Sequence, residues 1–130
     1  MNIGEAARRS GLPVKTVRYY ADIALVAPPR RSDSGYRHYD AEDVARLVFV
    51  RRARAFGFSI DNCRELLSLY DDEQRSAAEV KEIALRHLAD LDVKLAELHA
   101  LRDGLARLVA ACAGDQRREC PILEGLATGR

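Results

Sequence analysis

The chain has 130 residues, of which 48% are hydrophobic and 32% charged, and a net charge of +1. That length holds one modest core, or a small domain with an extended element, and the composition is that of a soluble protein rich in helix. No apolar run approaches the roughly 20 residues of a membrane span. The opening Met1-Asn2-Ile3-Gly4-Glu5 lacks the basic region and apolar stretch of a secretory signal, so the expectation is a cytoplasmic protein.

The small net charge hides an asymmetry. Residues 1–58 carry eleven Lys/Arg against six Asp/Glu, a net +5, and residues 59–130 carry ten against fourteen, a net −4. A basic front half joined to an acidic rear half fits a nucleic-acid module attached to something else. On charge alone, an unevenly charged solvated surface explains it equally well.

Ile3 to Arg9 reads as a short helix, broken at Ser10-Gly11-Leu12. Pro13 suits the first turn of a second helix running to about Ala21. Two short helices joined by a tight glycine turn make a helix-turn-helix candidate. Lys15 and Arg18 share a face of the second helix with Tyr19 or Asp22, while Val14 and Val17 turn elsewhere. Long cationic side chains reach phosphates or guanine edges, and the apolar face seats the helix. Tyr20 suits core packing and phosphate contact equally.

Pro28-Pro29 ends the helical run, Arg30-Arg31-Ser32-Asp33-Ser34-Gly35 is a polar turn, and Tyr36-Arg37-His38-Tyr39 alternates as a strand does. The expectation is a β-hairpin wing that offers Arg31, Tyr36 and Arg37 to DNA, with His38 a wing-surface residue. Asp40 caps a third helix, with Asp43 three residues on, and Arg51, Arg52 and Arg54 add basic charge along it. Phe56-Gly57-Phe58 interrupts, and Ser59 caps a fourth helix from Ile60 to about Leu69. Basic residues interleaved with tyrosines in a small helical module fit duplex DNA better than single strands.

From about Ala77 the pattern changes. Ala84, Leu88, Leu91, Leu95, Leu98, Leu105, Val109 and Cys112 follow a 3–4 spacing interrupted at Arg102. This predicts a helix of about 35 residues, roughly 50 Å long. Its apolar stripe requires a partner, most simply a second copy of the chain. The expected organisation is therefore a DNA-binding domain over 1–70, a dimerisation helix over 76–111, and a loop with a short helix from Pro121 over 112–130.

The three cysteines are too few, and odd in number, for a disulfide framework. Cys63 lies within the fourth helix and reads as a small buried hydrophobe. Cys112 ends the long helix and Cys120 precedes the short one, so a fold in the polar loop between them brings two sulfurs together. Soft thiolates select soft ions, and two sulfurs in line suit Cu(I), Ag(I) or Au(I), about one ion per monomer. Zinc takes four ligands, and this segment offers no third cysteine and no histidine. The N-terminal end of the last helix favours an anionic sulfur at Cys120. Lys81, Arg117 or Arg118 is a candidate to offset the site's negative charge. A disulfide switch between Cys112 and Cys120 is the alternative. The chain shows no Ser/His/Asp set, no phosphate-cradling glycine loop and no paired acid/base site, so no enzymatic activity is expected.

Taken together, Asn2-Ile3-Gly4-Glu5-Ala6-Ala7, Thr16-Val17-Arg18-Tyr19-Tyr20, Ser34-Gly35-Tyr36-Arg37-His38-Tyr39 and Phe56-Gly57-Phe58 resemble the MerR family of winged-helix regulators. Cys112-x7-Cys120-Pro121-Ile122 is similar to the copper-efflux branch of that family, of CueR or HmrR type. The resemblance implies a mainly α fold: a winged helix-turn-helix, then a long helix paired antiparallel in a homodimer, then a metal-binding loop and short helix. It implies binding to an inverted repeat between promoter elements spaced too widely for RNA polymerase, and DNA distortion on metal binding that realigns them. By matching position, Lys15, Arg18, Tyr20, Tyr36 and Arg37 would touch DNA, and a copper-exporting pump gene would be a target. Divalent-metal relatives carry an extra cysteine near the start of the long helix, where this chain reads Arg75-Ser76-Ala77-Ala78-Glu79. Copper-type relatives usually have serine where Ala77 stands here, a departure that bears on the choice among monovalent ions.

Overall fold

The computed structural model describes residues 1–26, 30–31 and 37–128, with the backbone alone at Arg30, Arg31 and Arg37. It is mainly helical and forms two compact units, Met1–Ile83 and Ala84–Arg130.

In the first unit, α1 (Ile3–Ser10) begins where the Asn2 side chain accepts the Glu5 N–H at 2.9 Å. That satisfies one of the amide donors a helix start leaves without an internal partner. It stops at Gly11, whose φ of 76° is a left-handed conformation that glycine adopts without steric cost. Helix α2 (Val14–Asp22) follows, with Pro13 as its N-cap at ψ 147°, one residue earlier than the first-turn place expected for it. Strands β1 (Arg30–Arg31) and β2 (Arg37–His38) pair antiparallel, with Arg31 opposite Arg37 and Arg30 opposite His38.

Helix α3 (Ala41–Ala55) opens with a reciprocal capping box. Asp43 N–H donates to Asp40 Oδ1 and Asp40 N–H to Asp43 Oδ2, both at 2.9 Å. It ends at Phe56, and Gly57, at φ 87°, turns the chain toward α4 (Ile60–Asp71). Ser59 Oγ caps α4 by accepting the Asn62 N–H at 3.1 Å. Arg46 of α3 grips Asp71 at the end of α4 through a 2.8 Å ion pair.

One core holds these helices together. Ala6 and Ala7 of α1, Val17 and Tyr20 of α2, Leu47 and Val50 of α3, and Cys63 and Leu67 of α4 are buried in it, together with Leu25, Val26 and Tyr39 from the segments between helices. Helix α1 packs on both α2 and α3 because its two alanines let the backbones approach. Thus α2 is seated by Val17 and Tyr20 while its opposite face stays in water.

Helix α5 runs from Ala77 to Ala111, 35 residues. Ile83, in its first two turns, is buried. Farther along, Leu88, Val93, Leu95, Leu98, Leu101, Leu105 and Val109 are each more than half exposed in the single chain. The short α6 (Pro121–Thr128) closes the second unit.

Candidate DNA-reading surface and metal centre

On α2 the burial pattern separates two faces. Lys15, Arg18, Tyr19 and Asp22 are exposed, and Val17 and Tyr20 are buried. Consecutive helical residues point about 100° apart, so the paired tyrosines divide: Tyr19 is 52% exposed and Tyr20 6%. Their rings meet tilted at 46° with centroids 6.0 Å apart. Of the two roles the sequence left open for Tyr20, the structure assigns its ring to core packing.

Beside α2, the Arg51 side chain of α3 lies over the helix-turn-helix turn. A Cβ at Gly11 would stand 3.4 Å from Arg51 Nε, in ordinary contact with that guanidinium. Of the wing residues expected to face DNA, Arg31 and Arg37 occupy paired positions in the two-stranded sheet, and Tyr36 lies outside the described residues. His38 is exposed, with its Nδ1 3.1 Å from the Met1 amino nitrogen, and that amino group donates to the Tyr39 carbonyl at 2.7 Å.

The two cysteines expected to bind metal lie near the other end of the chain. Cys112 follows the last residue of α5, and its N–H still donates to the Val109 carbonyl at 3.1 Å. Gly114, at φ 68°, turns the chain away. Asp115 then orders the loop by accepting the Arg117 N–H at 2.9 Å while pairing with the Arg117 guanidinium at 3.1 Å. The Cys120 carbonyl accepts the Glu124 N–H at 3.0 Å, which makes Cys120 the residue that opens α6. Both cysteines are free and half-buried, whereas Cys63 is free and fully buried. Burial pushes the Cys63 thiol up from its ordinary range, against a smaller pull from the Arg54 charge.

Helix α6 is held against α5 by a contact the sequence does not advertise. Gly125 packs directly on Leu108, one turn before Cys112. The loop between the cysteines is thereby closed at both ends. Leu126 and α5 residues Leu101, Gly104, Leu105 and Leu108 line an open groove of about 570 Å³ beside this contact. Among the described residues, no group of three or more His, Cys, Asp or Glu side chains stands close enough together to hold an ion.

The sequence profile described as "MerR HTH family regulatory protein" matches residues 1–70, and that described as "MerR, DNA binding" matches residues 44–108. The chain belongs to the MerR family of DNA-binding transcription regulators. Among MerR relatives, the HTH-type transcriptional regulator HmrR of Rhizobium leguminosarum bv. viciae is 53% identical, with 99% of each chain covered. The regulator CueR of Salmonella typhimurium is 39% identical over 98% of this chain and 92% of its own. In three dimensions the chain resembles the transcription regulator PbrR691 of Ralstonia metallidurans CH34, solved in complex with lead(II). That likeness has a TM-score of 0.83 at 37% identity and covers 97% of this chain and 98% of that one. The MerR relatives named here are transcription regulators, in keeping with the expectation of no enzymatic activity. No helix among the described residues is long and apolar enough to cross a membrane.

Two contacts beside these sites are not legible in the sequence of this MerR chain. The Gly125–Leu108 contact had only a glycine inside a short helix as its signal, and Arg51 over Gly11 had only its place in a basic run.

Proposed function

We propose that this MerR chain is a homodimeric, metal-responsive regulator of promoter DNA, and that its effector is Cu(I) or another soft monovalent ion, Ag(I) or Au(I). The ion is held by Cys112 and Cys120, one site per monomer. The observation that carries this reading is the pair of free, half-buried thiols flanking a loop whose two ends are fastened by the α6–α5 contact. Thiolates bind soft ions, and a linear pair satisfies a monovalent one. The relatives named heavy metal-dependent transcription regulators 1 and 2 of Rhizobium meliloti, and the lead(II) complex of PbrR691, agree with a metal effector.

The exposed leucine stripe of α5 supports the dimer. An apolar face of that length in water is stabilised by burial, and an antiparallel second copy presents the same stripe in return. On DNA, Lys15 and Arg18 take the exposed face of α2, with Tyr19 as the tyrosine turned outward. Arg31, Tyr36 and Arg37 extend the contact from the wing. Phosphate contacts by these cations set the register on the duplex. The target is an inverted repeat in a promoter served by RNA polymerase. Distorting such a site costs several kcal/mol by elastic estimates. The metal activates only by binding the distorting conformation more tightly, by a free energy on that scale. Genes for metal efflux and detoxification are the expected targets, and the cytoplasm the expected location.

The test is an anaerobic Cu(I) titration of reduced protein against a competing chelator, with Cys112→Ser and Cys120→Ser alongside and Pb(II) as a parallel titrant. Tight binding of about one ion per monomer, lost in each variant, upholds the two-thiolate site. Preference for Pb(II) replaces the monovalent assignment with a divalent one. Cu(I) binding that survives both substitutions rejects the site and turns attention to a Cys112–Cys120 disulfide.

A further inference from the structure

Helix α2 ends in an unusual way. The Leu25 N–H donates to the Tyr20 carbonyl at 2.9 Å and the Ala24 N–H to the Ala21 carbonyl at 3.0 Å. That paired closure needs a left-handed residue at the first of the two donors in the chain, a place glycine usually fills. Here it is Ala24, at φ 54°, the one non-glycine residue with positive φ among those described. An alanine is sterically disfavoured there, so the surrounding structure must hold it.

The holding group comes from α4, forty residues on. Arg64 Nη1 donates to the Ala24 carbonyl at 2.9 Å and Nη2 to the Ile23 carbonyl at 3.0 Å. These carbonyls belong to the end of α2, where no further helical turn supplies a donor. The planar guanidinium spans two adjacent acceptors, which a single ammonium does not. Immediately beyond, Leu25 and Val26 are buried in the core. The chain that leaves the DNA-facing helix for the wing is thus pinned by a polar fork on one residue pair and by apolar anchors on the next.

We propose that Arg64 is a positioning residue for sequence-selective DNA binding. It fixes the exit of α2 against α4 so that Lys15 and Arg18 engage the duplex in step with the wing. The inference rests on the DNA contacts proposed above for α2 and the wing. Non-selective binding depends chiefly on cationic charge near phosphates, whereas selective binding depends on where those cations are held. Loosening the Arg64 fork therefore reduces selectivity before it reduces charge-driven attraction.

The experiment uses the full chain and two duplexes at one salt concentration: one enriched from a random pool by the wild-type protein, and one of mixed sequence. Arg64→Ala is expected to bind the enriched duplex about tenfold more weakly and the mixed duplex within about twofold of wild type, a fall in the specificity ratio. Arg64→Lys keeps the charge and the stem, and is expected to recover only part of the selectivity. Equal loss on both duplexes means that Arg64 acts through charge or folding, and overturns the inference. So does a lysine variant indistinguishable from wild type, or an alanine variant with no loss on the enriched duplex. Failure of the wild-type protein to enrich any duplex removes the DNA contacts proposed for α2 and this inference with them, a result distinct from the other three.

Discussion

Gly125 and Leu108 meet without room for a side chain between them: a Cβ on Gly125 would lie 2.5 Å from Leu108 Cδ2 and 3.2 Å from Cδ1. Glycine inside a helix is about 1 kcal/mol less favourable than alanine, so Gly125→Ala would stabilise α6 if only propensity mattered. Overpacking costs about 1–3 kcal/mol, and here the Leu108 side chain must shift to admit the new methyl. The expected result is faster amide exchange over residues 121–128 and weaker Cu(I) binding, because Cys120 opens α6. Leu108→Ala in the same background is expected to restore slow exchange. Unchanged exchange in Gly125→Ala would show that Leu108 moves aside at no cost.

The three thiols should differ in reactivity. Cys112 and Cys120 are half-buried, while Cys63 is enclosed and its thiol is pushed up by burial. Under native, reducing conditions a small alkylating reagent should label the first two and spare Cys63 until the protein unfolds, as peptide mass spectrometry would show. The linkage has a definite sign. The unfolded thiol loses its proton near the ordinary value of 9.0, while folded Cys63 retains it. Its contribution to stability is therefore full below that pH and lost as pH rises through the folded value.

Leu47 is 1% exposed at the centre of the first unit's core. Leu47→Ala is expected to destabilise that unit by about 2–5 kcal/mol, from lost burial and the cavity left behind. Urea denaturation monitored by circular dichroism measures it, and a cost under about 1 kcal/mol would place Leu47 outside the well-packed region.

Glu5 accepts hydrogen bonds from Arg8 and Arg9, which hold its carboxyl below the ordinary value of 4.5. A lowered folded value means the contribution is present above that pH and lost as pH falls through the folded value. The group is partly exposed and screened by salt, so the effect is small. Thermal melts of wild type and Glu5→Gln between about pH 3 and 6 should converge at the acid end and separate slightly above it. Identical curves throughout would show that the ion pair adds nothing in solution.

Leu98, 62% exposed near the middle of α5, tests the dimer. A charge on that stripe would sit against its own copy in an antiparallel pair, where a buried unpaired carboxylate is strongly unfavourable. Leu98→Asp is expected to sediment as a monomer and to lose binding to a two-fold-symmetric duplex. A wild-type chain that already sediments as a monomer at micromolar concentration would refute the pairing itself.

The sequence by itself determined the elements and their order. Asp40 and Ser59 announce their helices because a short polar side chain beside an apolar run satisfies amides that a helix start leaves open. The 3–4 spacing from Ala84 to Val109 required one long helix with an unpartnered stripe. The cysteine spacing and the front-loaded basic charge are equally local facts, readable without a fold.

What the sequence left open needed the packing of distant parts. Tyr19 and Tyr20 are the same residue in adjacent positions. Only the seating of α2 against the α1–α3 core turns one outward and buries the other. Gly125 looks like a weak point in a short helix until Leu108 is found against it. Arg64 looks like one more surface cation until its two donors reach the carbonyls of Ile23 and Ala24, some forty residues earlier in the chain. Periodicity and capping act within a few residues and are written along the chain. Close approach, the choice of which face is buried, and a surface donor that finds an orphan carbonyl forty residues away depend on distances that exist only once the helices have packed.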